Sequence, residues 1–228
     1  MPDPTTNGTP SLAPVGRTRN ALAAEVYDNL LDALMDGRLS PGDRLVMDRL
    51  ADDLGVSRSP VRDALLRLHR EGVVEPGGKR GYLVRAASDS DIHDFYAARM
   101  AVEGFAAELL QGAGADAWVF LRDLLESLSA KATASVRESF EANRLFHRGV
   151  VEVTGNSYLV DMFDTIWNRS RTALTYRDFA AAYPYDEFVP EHTELLDALE
   201  RARPKTARNL MVQHITGGLD RTRPGSSE

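Results

Sequence analysis

The amino-acid sequence predicts a mainly α protein, with an N-terminal winged helix-turn-helix followed by a C-terminal all-helical bundle. Three observations carry that expectation. Apolar residues recur at spacings of three and four through most of the chain, the period of helices with one buried face. Between residues 73 and 84 two short apolar runs flank Pro76-Gly77-Gly78, a strand-turn-strand signal. Charge is also divided: from Ser57 to Arg85 seven Lys/Arg stand against three acids, whereas from Ala87 onward 15 basic residues face 22 acidic ones. A locally basic unit thus precedes an acidic body, and local charge, not the net −7, governs contact with phosphates.

Residues 1–20 are rich in Pro, Thr, Gly and Asn without a period and read as a disordered arm. Ala23, Val26, Tyr27, Leu30, Leu31, Leu34 and Met35 then mark a helix that stops at Gly37, and Ser40-Pro41-Gly42-Asp43 supplies a turn. A short helix covers Asp48 to Leu54 and is ended by Gly55. Ser57 is placed as the N-cap of a helix from Arg58 to Arg70, with its hydroxyl accepting from the first turn. Val61, Ala64, Leu65 and Leu68 face inward, and Gly72 closes the helix. The hairpin completes a domain over residues 21–86. Residues 87–221 form the second domain, with helices expected near 89–111, 116–132, 136–154, 157–180, 187–202 and 205–220, and residues 222–228 are a tail.

Composition removes several function classes. There is no cysteine, so disulfides, thiolate metal sites and Cys nucleophiles are excluded. No apolar run approaches the ~18 residues of a membrane helix. The N-terminus lacks the pattern of a secretory signal, and a cytoplasmic location is expected, with no membrane partner.

The basic unit has the plan of a DNA reader. One helix enters the major groove, the preceding helix sets its angle, and the wing follows the backbone. Arg58 and Arg62 stand four apart on one face of the second helix, and Arg grips the O6 and N7 of guanine with two bonds. An isolated pair of this kind is usually a solvated face. Here it sits within Leu54-Gly55-Val56-Ser57-Arg58-Ser59-Pro60-Val61-Arg62-Asp63-Ala64-Leu65, preceded by Gly37-x-Leu39-x-Pro41-Gly42 and followed by Gly81-Tyr82-x-Val84. Over about residues 22 to 86 this resembles the DNA-binding domain of the GntR family of bacterial regulators. The resemblance implies that Arg58, Arg62 and Arg49 read the operator and that Ser57 and Ser59 contact phosphate. It also implies that Gly81 is the wing glycine that lets backbone approach the minor groove, with Lys79 and Arg80 beside it on phosphate.

Three of five histidines, His147, His192 and His214, lie among apolar residues on three different expected helices. A buried histidine is usually a hydrogen-bonded core residue, but three in one small helical domain also suit a divalent metal. The segments Asn143-x-x-x-His147, Gly155-Asn156-x-x-Leu159, Glu191-His192-x-x-Leu195-Leu196 and Met211-x-x-His214-Ile215 resemble the FCD effector domain of the FadR-type branch of that family, over about residues 90 to 219. The resemblance implies a divalent metal (Zn²⁺, Ni²⁺ or similar) held by His147, His192, His214 and position 143. Asp is usual at that position and Asn143 stands here, which leaves no anionic protein ligand. Small carboxylates are the family's usual effectors, and such a site attracts an anionic effector. Arg99 matches an arginine near that pocket, where it either clamps the effector or pairs with Glu103 at i,i+4.

The expected function is a ligand-responsive transcriptional regulator, a homodimer on palindromic double-stranded operator DNA. The rival from another class is a metal-dependent enzyme using the three-histidine site. The chain has no HExxH and no evident general base, and an enzyme leaves the basic reading helix unexplained. A scaffolding protein explains neither feature.

Overall fold

The computed structural model describes residues 17–78, 81–130, 136–173 and 185–221. The N-terminal domain comprises α1 (Arg17–Met35), β1 (Arg44–Val46), α2 (Met47–Leu54), α3 (Arg58–Arg70), β2 (Val74–Pro76) and β3 (Gly81–Val84). The C-terminal domain contains α4 (Asp89–Leu110), α5 (Ala115–Ala130), α6 (Val136–Glu152), α7 (Ser157–Ala173), α8 (Tyr185–Arg201) and α9 (Pro204–Arg221). No helix among the described residues is long and apolar enough to cross a membrane.

The expected inward faces close the first core. Val26, Tyr27, Leu30, Leu31 and Leu34 of α1 pack with Val61, Ala64, Leu65 and Leu68 of α3. Gly55 adopts the left-handed conformation (φ 65°) that turns α2 toward α3. Helix α1 begins at Arg17, inside the segment read as an arm, because its first turn is polar and carries no apolar period. Strand β1 was not expected. Three residues are too short a run to show alternation, and pairing with β3 makes the strand. The antiparallel sheet has the order β1-β3-β2, with Leu45 opposite Tyr82 and Glu75 opposite Leu83.

This pairing explains Gly81 within the protein itself. A Cβ there would stand 2.6 Å from the Leu45 carbonyl oxygen. Gly81→Ala is expected to cost about 1–3 kcal/mol through forced separation of β1 and β3. Chemical denaturation checks it, and an unchanged midpoint would mean that β1 yields freely.

Arg85 ties the wing to the second domain. It donates to the Gly72 carbonyl (3.1 Å) and to Asp91 in the first turn of α4 (2.9 Å). Ser88 caps that helix: its Oγ accepts from the Asp91 amide, and the Asp91 carboxylate accepts from the Ser88 amide. Helices α4 and α9 make the most extensive pairing of the bundle, whose core includes Tyr96, Phe146, Phe163, Trp167 and Met211.

Candidate DNA interface and metal centre

The N-terminus of α3 and the adjoining face of α2 carry the predicted reading residues. Side chains of Arg49, Arg58 and Arg62 are 84%, 72% and 56% exposed, so all three are available to a groove. Each has a carboxylate beside it: Asp53 at 3.6 Å from Arg49, Asp48 at 3.0 Å from Arg58, and Asp63 at 3.8 Å from Arg62. At this exposure such pairs stabilise the fold little. Asp48 lies ten residues before Arg58, so only the turn between α2 and α3 brings the two together.

Ser57 occupies the N-cap position, but its side chain makes no cap hydrogen bond, which corrects the sequence expectation. The reason is local. A capping hydroxyl accepts from the second or third amide of its helix, and the third residue here is Pro60, which has none. Ser59 lies in the same first turn. Gly81 opens β3 opposite Val46. Lys79 and Arg80 lie outside the described residues.

In the bundle the three histidines converge. Asn143 and His147 lie on α6, His192 on α8 and His214 on α9. The Nε2 atom of His147 stands 3.4 Å from that of His192 and 3.3 Å from that of His214. His147 and His192 are fully buried, while His214 is partly exposed. His192 Nδ1 lies 2.7 Å from the Phe188 carbonyl, an acceptor, so Nδ1 carries the hydrogen and Nε2 the lone pair. His147 Nδ1 lies 2.7 Å from the Glu103 carboxylate without the alignment of a hydrogen bond, and an acceptor at that distance favours the same tautomer.

Two lone pairs therefore face each other across 3.4 Å, an arrangement that favours a proton or a cation between them. A shared proton is disfavoured. Burial holds all three imidazoles below the usual histidine range, further for His192 and His214 because His147 adds repulsion. A metal fits instead. Two nitrogens bound to one tetrahedral Zn²⁺ at about 2.0–2.1 Å each stand about 3.3–3.4 Å apart. Asn143 adds an independent indication: its side chain is buried, and its Oδ1 has no hydrogen-bond partner. A buried orphan oxygen is costly unless something coordinates it. The donor set of three neutral imidazoles and one amide oxygen suits Zn²⁺, Ni²⁺ or similar ions.

Arg99 and Glu103 form the ion pair that the sequence left as one of two readings for Arg99. Arg99 Nε donates to Glu103 Oε1 at 2.8 Å and Nη2 to Oε2 at 3.2 Å, with both side chains buried. The guanidinium lies 4.5 Å over the Trp167 ring, and Trp167 Nε1 donates to Glu103 Oε1 at 3.3 Å. Burial alone would raise the Glu103 pKa, but Arg99 and then His147 outweigh it and hold the group down to about 2. The carboxylate is therefore ionised.

Sequence reasoning missed Glu103 as part of the site, treating it only as a partner for Arg99. The available signal was a charged pair inside a stretch that is otherwise Ala, Met, Val, Gly and Phe. Arg144 and Arg148, further candidates for a carboxylate clamp with a solvated face as the default, lie in ion pairs near the surface with Glu141, Asp164 and Glu152. The side chains of Arg169, Arg171 and Arg177 lie outside the described residues.

Comparison with known proteins agrees with both halves of the chain. Residues 22–84 match the family model described as bacterial regulatory proteins, gntR family, and residues 94–217 match that of the FCD domain. The "Probable D-xylose utilization operon transcriptional repressor" of Paenarthrobacter nicotinovorans is 28% identical over 206 residues, covering 90% of each chain. HTH-type transcriptional regulator McbR of Escherichia coli is 26% identical, over 85% of this chain and 89% of that one. The solved structure of E. coli McbR/YncC superposes with a TM-score of 0.63 at 25% identity, over 86% of this chain and 93% of that one. A GntR regulator structure from Rhodococcus sp. RHA1 shares the fold, with a TM-score of 0.70 at 22% identity over 91% of this chain and all of that one.

Proposed function

The chain belongs to the GntR family of bacterial regulatory proteins and carries its FCD domain, and on that footing we propose that its bundle senses a small carboxylate at a divalent-metal site. It is a DNA-binding transcriptional regulator, as its relatives are, and not an enzyme. The observation that carries the sensing proposal is the convergence of three imidazole Nε2 atoms, and the orphaned oxygen of Asn143, one turn before His147 on the same helix, adds to it. His147, His192, His214 and Asn143 would hold the metal, which when bound supplies a Lewis-acidic position for an anionic oxygen ligand.

Arg58 and Arg62 read bases, Arg49 assists from α2, and Ser57, Ser59, Lys79 and Arg80 contact the backbone, with Gly81 in the wing. The protein acts in the cytoplasm as a homodimer, whose two reading heads match a palindromic operator. The effector acts by binding two arrangements of those heads unequally.

Two measurements test this reading. Arg58→Ala and Arg62→Ala each weaken operator binding by about 1–3 kcal/mol, and footprints unchanged in both would refute the base-reading assignment. A thermal-shift screen of small carboxylates, with and without Zn²⁺ or Ni²⁺, should show stabilisation that requires both components. Metal content below a tenth of an equivalent after loading would count against the site.

A further inference from the structure

We infer that Glu103 is the carboxylate partner of the metal-binding His147, delivering through that imidazole the anionic character that Asn143 does not provide. This rests on the metal reading above and assigns a role to residues outside the ligand set. Ligating imidazoles gain basicity and a fixed orientation when the far nitrogen donates to a carboxylate, and such partners govern affinity almost as ligands do. Glu103 stands where that carboxylate is needed, at contact distance though not aligned as a hydrogen bond. Its Oε2 is 2.7 Å from His147 Nδ1, on the opposite side of the ring from the Nε2 that faces the other histidines.

Glu103 is also held in place. Arg99 engages both carboxylate oxygens, and Trp167 donates to Oε1 from α7. The Trp167 ring stacks near that of His147, with centroids 6.3 Å apart and planes inclined by 29°. Phe146 packs edge-on to His147 at 5.6 Å and to His192 at 4.7 Å. Side chains from three helices, α4, α6 and α7, thus converge on one buried carboxylate: Arg99 and Trp167 donate to it, and His147 Nδ1 stands 2.7 Å away without the alignment of a hydrogen bond. The purely structural alternative is a core ion pair that happens to touch a histidine. An i,i+4 pair could satisfy itself at the surface, whereas this one is buried with its carboxylate against the imidazole. Arg99 and Trp167 are positioning residues for Glu103, and Glu103 for His147.

The distribution of charge follows. None of the ligands assigned to the inner site, the convergent His147, His192 and His214 with Asn143, is anionic. The Glu103 carboxylate stands one imidazole away, and Arg99 holds it from the other side. That arrangement keeps the inner position open to an exchangeable anion while the ligand that contacts the carboxylate stays polarised.

The experiment measures Co²⁺ affinity of the full-length protein by visible absorption, alongside the circular-dichroism spectrum of each variant. Wild type, Glu103→Gln, Asn143→Asp and the double variant are compared. Gln keeps the shape and an acceptor for His147 while removing the charge. Glu103→Gln should bind one Co²⁺ about 10–100-fold more weakly, and adding Asn143→Asp should restore most of that loss by moving an anion into the inner shell. A core role alone predicts a less stable fold without rescue by Asn143→Asp. If Glu103→Gln does not fold, Arg99→Met with Glu103→Gln removes both charges of the pair, and the same weakening and the same rescue are expected. Wild-type binding with affinity unchanged within twofold in the variants overturns the role of Glu103 and leaves the metal site standing. No Co²⁺ binding by wild type overturns both.

Discussion

Arg99→Met in the metal-free protein is expected to lower stability by about 3–5 kcal/mol. The substitution leaves a carboxylate buried without its main counter-charge, and breaking a buried pair from one side costs that much. Exposure does not discount the figure, because the Arg99 and Glu103 side chains are 2% and 1% exposed. Removing both charges behaves differently. Arg99→Met with Glu103→Gln should recover most of the loss, since both desolvation penalties disappear while the volume is nearly kept. Urea unfolding with chelator present measures both variants. A loss below about 1 kcal/mol for Arg99→Met would mean that water reaches Glu103, contrary to its burial.

The second large effect is expected from the metal. With free Zn²⁺ or Ni²⁺ at a thousand times the dissociation constant, stability should rise by about 4 kcal/mol over the chelated protein. His147→Ala should abolish that gain while leaving the hairpin and α3 intact, because the first core contains none of the bundle histidines. His147 is the informative residue, since its Nε2 is within 3.4 Å of both others. Calorimetric melting with and without metal measures the gain. A metal-dependent rise that persists in His147→Ala would place the ion elsewhere.

Much of this was legible in the amino-acid order. The inward face of α3, Val61, Ala64, Leu65 and Leu68, could be read because a helical period repeats within a few residues. The three histidines could be picked out because each lies within an apolar face. Strand β1 could not, since its partner lies 37 residues later and three residues carry no pattern of their own. The failed cap at Ser57 was readable in principle: Pro60 withholds the amide, but cap signals weighed residue types without asking which amides exist.

The sequence by itself determined the two-part architecture, the basic reading helix and the identity of the candidate ligands, because periodicity, local charge and side-chain chemistry are properties of neighbouring residues. Only the tertiary structure decided which groups meet. It turned Arg99 toward Glu103, set Glu103 against His147 and Trp167, and left the Asn143 oxygen without a hydrogen-bond partner. Those outcomes depend on how helices distant in sequence pack and exclude water. Burial is what converts an ordinary i,i+4 pair into a strong, directed interaction beside the candidate metal centre.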